Sequence, residues 1–327
     1  MLKVLNPIGT PDSGRATVIW NNGDPRQIRI NFAGTNSLVS LIDPQEYDVV
    51  PMTFGGQHPK QLVPEKADVI VNSLCDPDTN AIALHQLEKT LEQLAIPVIN
   101  PPDLTFQTTR EQTYARLHGT RGLIVPKTVR LAPRQLAEVP GLIAEHGLGY
   151  PYIFRSAGEH GGGGMVLVES EKDLPELERF AFDGRDFYAI AFHDFRDGDG
   201  LYRKYRLVVI DGQVYPRHLI VSKSWNIHAE TREELMNDSA ARQQEEIAFL
   251  AAPPAQLEAT CRRIHEKLPL DFFGIDCHLD AEGNMFIFEL NTCMRIVGGT
   301  PISYQEAALD TIKTAFNALI ARKAAQA

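Results

Sequence analysis

The chain has 327 residues, of which 43% are hydrophobic, enough to bury a large core and form two or three domains. A formal net charge of −10 leaves no bulk electrostatic footprint for nucleic acid or an anionic membrane. The four cysteines (75, 261, 277 and 293) show no CxxC spacing and read as reduced thiols. The opening "MLKVLNPIGTPDSG" lacks the apolar run of a signal peptide and nothing approaches a membrane span, so a cytoplasmic protein is expected.

The first hundred residues alternate strand-like and helix-like pieces. "ADVIVNSLC" reads as a buried strand, "DPDTN" as a turn and N-cap, "AIALHQLEKTLEQLA" as an amphipathic helix and "IPVINPP" as the next strand, stopped by its prolines. This β-α-β unit predicts a small parallel α/β domain. Its polar loop "CDPDTN" lies at a strand C-terminus, where open α/β sheets place ligands.

"TTREQTYARLH" predicts a short basic helix, "GLIVPKTVRL" a strand and "PRQLAEVPGLIAEHG" a broken helix. "GYPYIFRSAGEHGGGGMVLVES" is strand, glycine loop, strand, with five glycines between Gly158 and Gly164. Glycine permits backbone shapes that let successive N–H groups converge on phosphate oxygens. The loop has no GK[ST] and no following helix, so it is neither a Walker A motif nor a Rossmann fingerprint. A flap over a nucleotide fits, although a plain flexible connection is the commoner meaning. Arg155, a fixed charge at the end of the incoming strand, favours the flap.

"RDFYAIAFHDF" and "YRKYRLVVIDGQVYPRHLIV" are further strands, the second a hairpin through "IDGQ". The polar, acidic stretch from Asn226 to Gln244 is expected to run over the surface. A helix, "PAQLEATCRRIHEKL", leads into "FGIDCHLDAEGNMFIFELN", and "SYQEAALDTIKTAFNALIARKA" predicts a closing amphipathic helix, with Arg322 and Lys323 suited to its C-terminal end.

Residues 273–291 read as a β-hairpin around "DAEGN". A tip centred between Glu282 and Gly283 opposes Asp276 to Glu289, Gly274 to Asn291, Cys277 to Phe288 and Leu279 to Phe286. Alternation then gives one apolar core face and one face carrying Asp276, His278, Glu289 and Asn291. Two opposed carboxylates repel unless a cation or proton lies between them. Mg²⁺ suits them, because it takes oxygen ligands from one or two carboxylates plus substrate phosphates. A solvated hairpin face that happens to be acidic is the alternative.

Together the α/β start, the strand–glycine loop–strand and the Asp…Glu-x-Asn hairpin resemble the ATP-grasp superfamily. The likeness is to its RimK-like and D-alanine–D-alanine ligase neighbourhood, over most of the chain. The resemblance implies an ATP-grasp fold, α/β with an α+β C-terminal part. It implies a pre-ATP-grasp domain over residues 1–105, a lid with the glycine-rich flap over 106–195 and a metal-binding subdomain over 196–327. Asp276, Glu289 and Asn291 then hold Mg²⁺, two ions, against the ATP phosphates. Nucleotide contacts fall to Arg110 (with Gln112 the alternative place), Arg155, Ser156, Gly161, Gly162, Gly163, Asp194 at the ribose and Lys223 at the γ-phosphate. Arg206 matches an arginine common in the RimK-like branch. The family's arginine two residues before the first metal Asp is Gly274 here, and Arg295 is the expected substitute.

The sequence departs from the family at Ala191, where the acid that reads adenine is lost. Lys204 and His228 are ordinary solvated residues on this reading. His278 is a hydrogen bonder behind the metal site and Cys293 a packed thiol. The implied activity is an ATP-dependent ligase joining a carboxylate, of an amino acid or peptide, to an amine through an acyl-phosphate. A small-molecule kinase and a nucleotide-binding regulatory protein without turnover are the alternatives. The expected partner is a small-molecule or peptide substrate, with no nucleic acid or membrane; homodimer formation is left open.

Overall fold

The structure, a computed structural model, describes residues 1–20, 28–35, 38–56, 67–159, 164–227, 232, 235–237, 239–292, 294–297 and 302–326. The chain opens with strand β1 (Leu2–Gly9), the paired strands β2 (Thr17–Trp20) and β3 (Ile28–Asn31), then β4 (Tyr47–Phe54) and β5 (Val69–Val71). Helix α1 (Pro77–Leu91) crosses to β6 (Val98–Ile99). Strands β4, β1, β5 and β6 form a parallel sheet in that order, as the β-α-β pattern predicts. The Asp76 carboxylate caps α1 by accepting from the Asp78 N–H, and Leu84 and Leu87 bury the helix against Leu5, Phe54 and Ile70.

Helices α2 (Pro102–Thr105) and α3 (Arg110–Leu117) and the short strand β7 (Leu123–Ile124) follow. Next come β8 (Thr128–Leu131), α4 (Val139–Glu145), β9 (Tyr152–Ser156), β10 (Met165–Val168) and β11 (Phe187–Ala191). Strands β10, β9, β11 and β8 make an antiparallel sheet whose own core gathers Val129, Phe154, Leu177 and Phe187.

Strands β12 (Tyr202–Ile210) and β13 (Gln213–Ser222) turn through Asp211 and Gly212, both at positive φ (52° and 77°), a two-residue turn whose twist matches the strands. Helices α5 (Ala240–Ala251) and α6 (Gln256–Lys267), the hairpin β14 (Phe272–Leu279) and β15 (Met285–Asn291), and helix α7 (Glu306–Ala324) complete the chain. The five-stranded sheet runs β13, β12, β14, β15, β7. One face, with Leu207, Leu219, Ile275, Cys277 and Ile287, packs on α5 and α6 through Phe249, Leu257 and Ile264. On the other face Val208, Ile210 and Phe272 join α7 and the N-terminal sheet through Phe316, Val4 and Val71. Arg322 and Lys323 near the end of α7 pair with Asp211 and Asp271. No helix among the described residues is long and apolar enough to cross a membrane.

The described part of residues 226–244 is only in part a surface excursion: Asn237, Ala240, Ala241 and Gln244 are exposed, but other residues turn inward. Met236 is fully buried, and Arg232 reaches the buried Glu246 carboxylate on α5, which also accepts from Tyr304, the Gln305 amide and the Leu219 N–H. Polarity there reflects a buried ionic network, which period and composition do not distinguish from a solvated loop. Cys75, Cys261 and Cys277 are free and buried; Cys293 lies outside the described residues.

Candidate active site

The hairpin opposes Asp276 to Glu289 and Gly274 to Asn291, as its sequence predicts. Near the tip the expected register is off by one: Cys277 pairs with Ile287, His278 with Phe286 and Leu279 with Met285. The turn holds three residues with Gly283 at φ 82°, and a bulge between Asp276 and Cys277 restores the offset. Phe288 is the residue taken up by the bulge. It therefore leaves the core and packs on the side of the acids, its ring 4.7 Å from Phe195 and 5.4 Å from Phe286. His278 lies beside the same aromatic group, 5.5 Å from Phe195, with Asp197 3.7 Å away.

Cations meet both carboxylates. Arg206 is opposite Asp276 on β12 and donates to both of its oxygens, Nε at 2.7 Å and Nη2 at 2.8 Å, while Lys204 lies 3.4 Å away. Burial works against the charge on Asp276, but Arg206 and Lys204 outweigh it and hold the carboxyl below its ordinary pKa. Burial likewise works against Arg206, and Asp276 lifts its pKa above the ordinary value. Arg110, at the start of α3, lies 3.1 Å from the Glu289 carboxylate and donates to the Phe288 carbonyl at 3.0 Å. Arg155 is 4% exposed; its guanidinium donates to the Glu159 carbonyl and approaches the Met165 sulfur. Burial, and then the like charge of Arg110, lowers its pKa against the pull of Glu289 and Glu159.

A small cleft lies between these groups, lined by Cys75, Asp76 and Asp78 of the N-terminal unit, Arg110, Gly158 and Glu159 of the antiparallel sheet, and Glu289 and Asn291. Gly158 is at φ 74°, and a side-chain carbon there would strike Thr79 Cγ2. Beside it Arg130 gathers Asp78 (2.5 Å), Glu111 (2.8 Å), Asp186 (2.8 Å) and the Tyr188 hydroxyl, which itself donates to Asp78 at 2.7 Å. Burial raises the pKa of Asp78; at Glu111 burial opposes Arg130, which prevails and lowers the pKa. Sequence reading missed this cluster, since its members lie far apart in the chain.

The structure thus brings together Asp276, Glu289, Asn291, Arg110, Arg155 and Arg206. Lys204, expected to be solvated, joins them through Asp276 and the Ile227 carbonyl. Ser156 is half-buried at the end of β9, opposite Phe187. Asp194 is exposed and bound to Arg196. Lys223 and Arg295 are exposed; the Arg295 carbonyl accepts from Arg206 at 3.1 Å. Gly161, Gly162, Gly163 and His228 lie outside the described residues. The space over Gly274 is taken by Met294: a side-chain carbon there would come within 2.5 Å of it.

No family model matches the chain, and no curated protein matches it by sequence. Solved structures do. A RimK domain ATP-grasp protein from Sphaerobacter thermophilus is similar at a TM-score of 0.55 and 14% identity, over 98% of this chain and 99% of that one. D-alanine–D-alanine ligase from Coxiella burnetii is similar at 0.56 and 11%, over 100% and 97%. The Bacillus anthracis D-alanine–D-alanine ligase complexed with ATP is similar at 0.54 and 12%, over 100% and 99%. At such identities the likeness bears on architecture alone. With its parallel N-terminal sheet, antiparallel middle sheet and acid-bearing C-terminal hairpin, the chain has the ATP-grasp fold, α/β with an α+β C-terminal part.

Proposed function

We propose that the chain is an ATP-dependent carboxylate–amine ligase. The carrying observation is the opposed pair Asp276 and Glu289, with Arg110 and Arg155 converging from one side and Lys204 and Arg206 from the other. The donor set suits magnesium held with a nucleotide. Asp276, Glu289 and Asn291 offer hard oxygens, and no group of three or more His, Cys, Asp or Glu among the described residues is arranged to hold a metal alone. Phosphate oxygens would complete such a site. When bound, magnesium would neutralise and orient the phosphates.

In the proposed reaction a substrate carboxylate oxygen attacks the γ-phosphorus and ADP leaves. An amine then attacks the acyl carbon, gives up a proton and expels phosphate. The chain's part is positioning and charge. Arg110 and Arg155 face the polyphosphate, Arg206 steadies the group receiving the phosphoryl, and the aromatic surface of Phe195, Phe286 and Phe288 offers a face for the base. On this reading residues 1–105 supply the acceptor side, 106–195 the lid and 196–327 the metal subdomain. Asp194, Lys223 and Arg295 act only once the exposed segments carrying them fold inward.

The test is phosphate release from Mg-ATP over a panel of amino acids and acids, with products read by mass spectrometry. An amide product supports the ligase, and a phosphorylated product would replace it with a kinase. Glu289→Gln should reduce turnover on the order of a hundredfold or more with the circular dichroism spectrum unchanged. Full activity in that variant would end the metal reading.

A further inference from the structure

On the face of the metal acids, one row of side chains crosses four strands: His218 on β13, Arg206 on β12, Asp276 on β14 and Glu289 on β15, each opposite the next. Strands lie about 4.8 Å apart, so His218 is one strand beyond Arg206 and roughly 14 Å from Glu289. Three observations set this end of the row apart.

The first is an unmet nitrogen. His218 Nε2 is shut off from water and has no hydrogen-bond partner among the described residues, although the residue as a whole is only half-buried. A buried polar atom without a partner costs stability that a ligand would recover.

The second is charge. Burial, then Arg206, Arg217, Lys204 and Arg232, press the His218 pKa well below its ordinary value, leaving a neutral ring among four cations. Asp276 answers Arg206 and Lys204, and Glu246 answers Arg232. Among the described residues Arg217 donates to two neutral acceptors, the Ile296 carbonyl at 2.8 Å and the Gln305 amide at 2.7 Å, with Glu246 acting on it from farther off. Glu289 also draws on Arg206 but is itself answered by Arg110, so of the four cations Arg217 is the one with no carboxylate in salt-bridge reach among the described residues.

The third is steric. Met294 fills the space over Gly274, so a molecule whose carboxylate lies at Arg206 is turned away from that side and towards β13.

We propose that the acid substrate carries two anionic groups, one at Arg206 and the other over β13, where His218 donates a hydrogen bond to it from Nε2. His218 is then a residue that sets substrate specificity. The proposal rests on the ligase reading for the fate of the first group, though binding alone tests it. Succinate, with two carboxylates, and propionate, with one, are titrated calorimetrically into the full chain, its His218→Ala variant and its His218→Asn variant. The wild type should bind succinate about tenfold or more tighter than propionate. His218→Ala should lose that preference and His218→Asn, which keeps a donor, should retain part of it. Equal affinity for the two acids in the wild type, or an undiminished preference in His218→Ala, overturns the proposal. Should His218→Ala fail to fold by circular dichroism, His218→Asn and His218→Leu decide it in the same way. A parallel titration with Mg-ADP separates the two ideas: a succinate preference without Mg-ADP binding sinks the ligase reading and leaves the acid site standing.

Discussion

At Asp276 a buried carboxylate, 4% exposed, meets both nitrogens of a guanidinium fork and a nearby ammonium. Removing one partner from such a pair strands the other in a poor solvent, which costs more than the pair contributes when intact. Arg206→Met should therefore lower stability by about 3 kcal/mol in urea titration, and the further change Asp276→Asn should recover much of it. Additive losses would show that the two groups do not act as a unit. Arg130 makes the same argument dependent on pH. Glu111 sits below its usual value of 4.5, so its contribution is present above the unfolded pKa and lost as pH falls through the folded one. Without Arg130, burial is opposed only by the Tyr188 and backbone hydrogen bonds, so the pKa values of both Glu111 and Asp78 rise relative to the wild type. Raised carboxylates cost stability as pH rises past the unfolded pKa. The gap between wild type and Arg130→Met should thus widen as pH rises through the range in which carboxylates titrate, approaching about 3 kcal/mol. A gap that stays constant across that range would mean that neither carboxylate depends on Arg130.

The hairpin is the element whose pairing was most legible. Two apolar runs of period two around a turn signal fixed the acids opposite one another, and the structure agrees at Asp276 and Glu289. Two irregularities cancel between the tip and the acids, a three-residue turn and the bulge at Phe288, and counting residues cannot see offsets of opposite sign. The partnership of Arg206 with Asp276 was equally hidden, because it depends on which strand lies beside β14 rather than on any spacing within it. The same holds for Met294 over Gly274 and for Arg130 with Asp78. The bulge makes an uncommon deletion tolerable. Without Phe288, Glu289 moves one place towards the tip, where the unbulged register also faces it to Asp276. Deleting Phe288 should leave a folded protein, lower the melting temperature by only a few degrees (about 1–2 kcal/mol), and weaken nucleotide binding through loss of the aromatic surface. Deleting the buried Leu290, beyond the bulge, serves as the control, because it puts Asn291 opposite Ile275 in the core, and if it proves the milder of the two the register argument is wrong.

Across the whole molecule the parallel and five-stranded sheets are joined largely by buried contacts around Asn100, whose N–H also donates to the Asp271 carboxylate at 3.1 Å. Asn100 donates to the carbonyls of Phe272 (2.5 Å) and Thr292 (3.3 Å) and accepts from the Phe272 N–H, while α7 packs across both sheets. The antiparallel sheet meets this base through ion pairs at Arg130 and the glycine contact at Thr79, groups that water can satisfy when they part. Its four strands and every residue of its core come from residues 128–191 alone, and none of the other clusters draws on that stretch. The two ends of the stretch are adjacent, for the Ala191 N–H donates to the Lys127 carbonyl at 2.8 Å. In the language of gene assembly, the antiparallel sheet is a cassette. Replacing residues 128–190 by a linker of about three glycine and serine residues should close the gap without strain. The remaining base should unfold in one cooperative urea transition, and the excised segment should fold when expressed alone. A base that binds hydrophobic dye and melts without a transition would refute the idea. If both pieces fold, the middle sheet can be exchanged for that of another chain of this architecture, and the covering half of the site becomes a replaceable part.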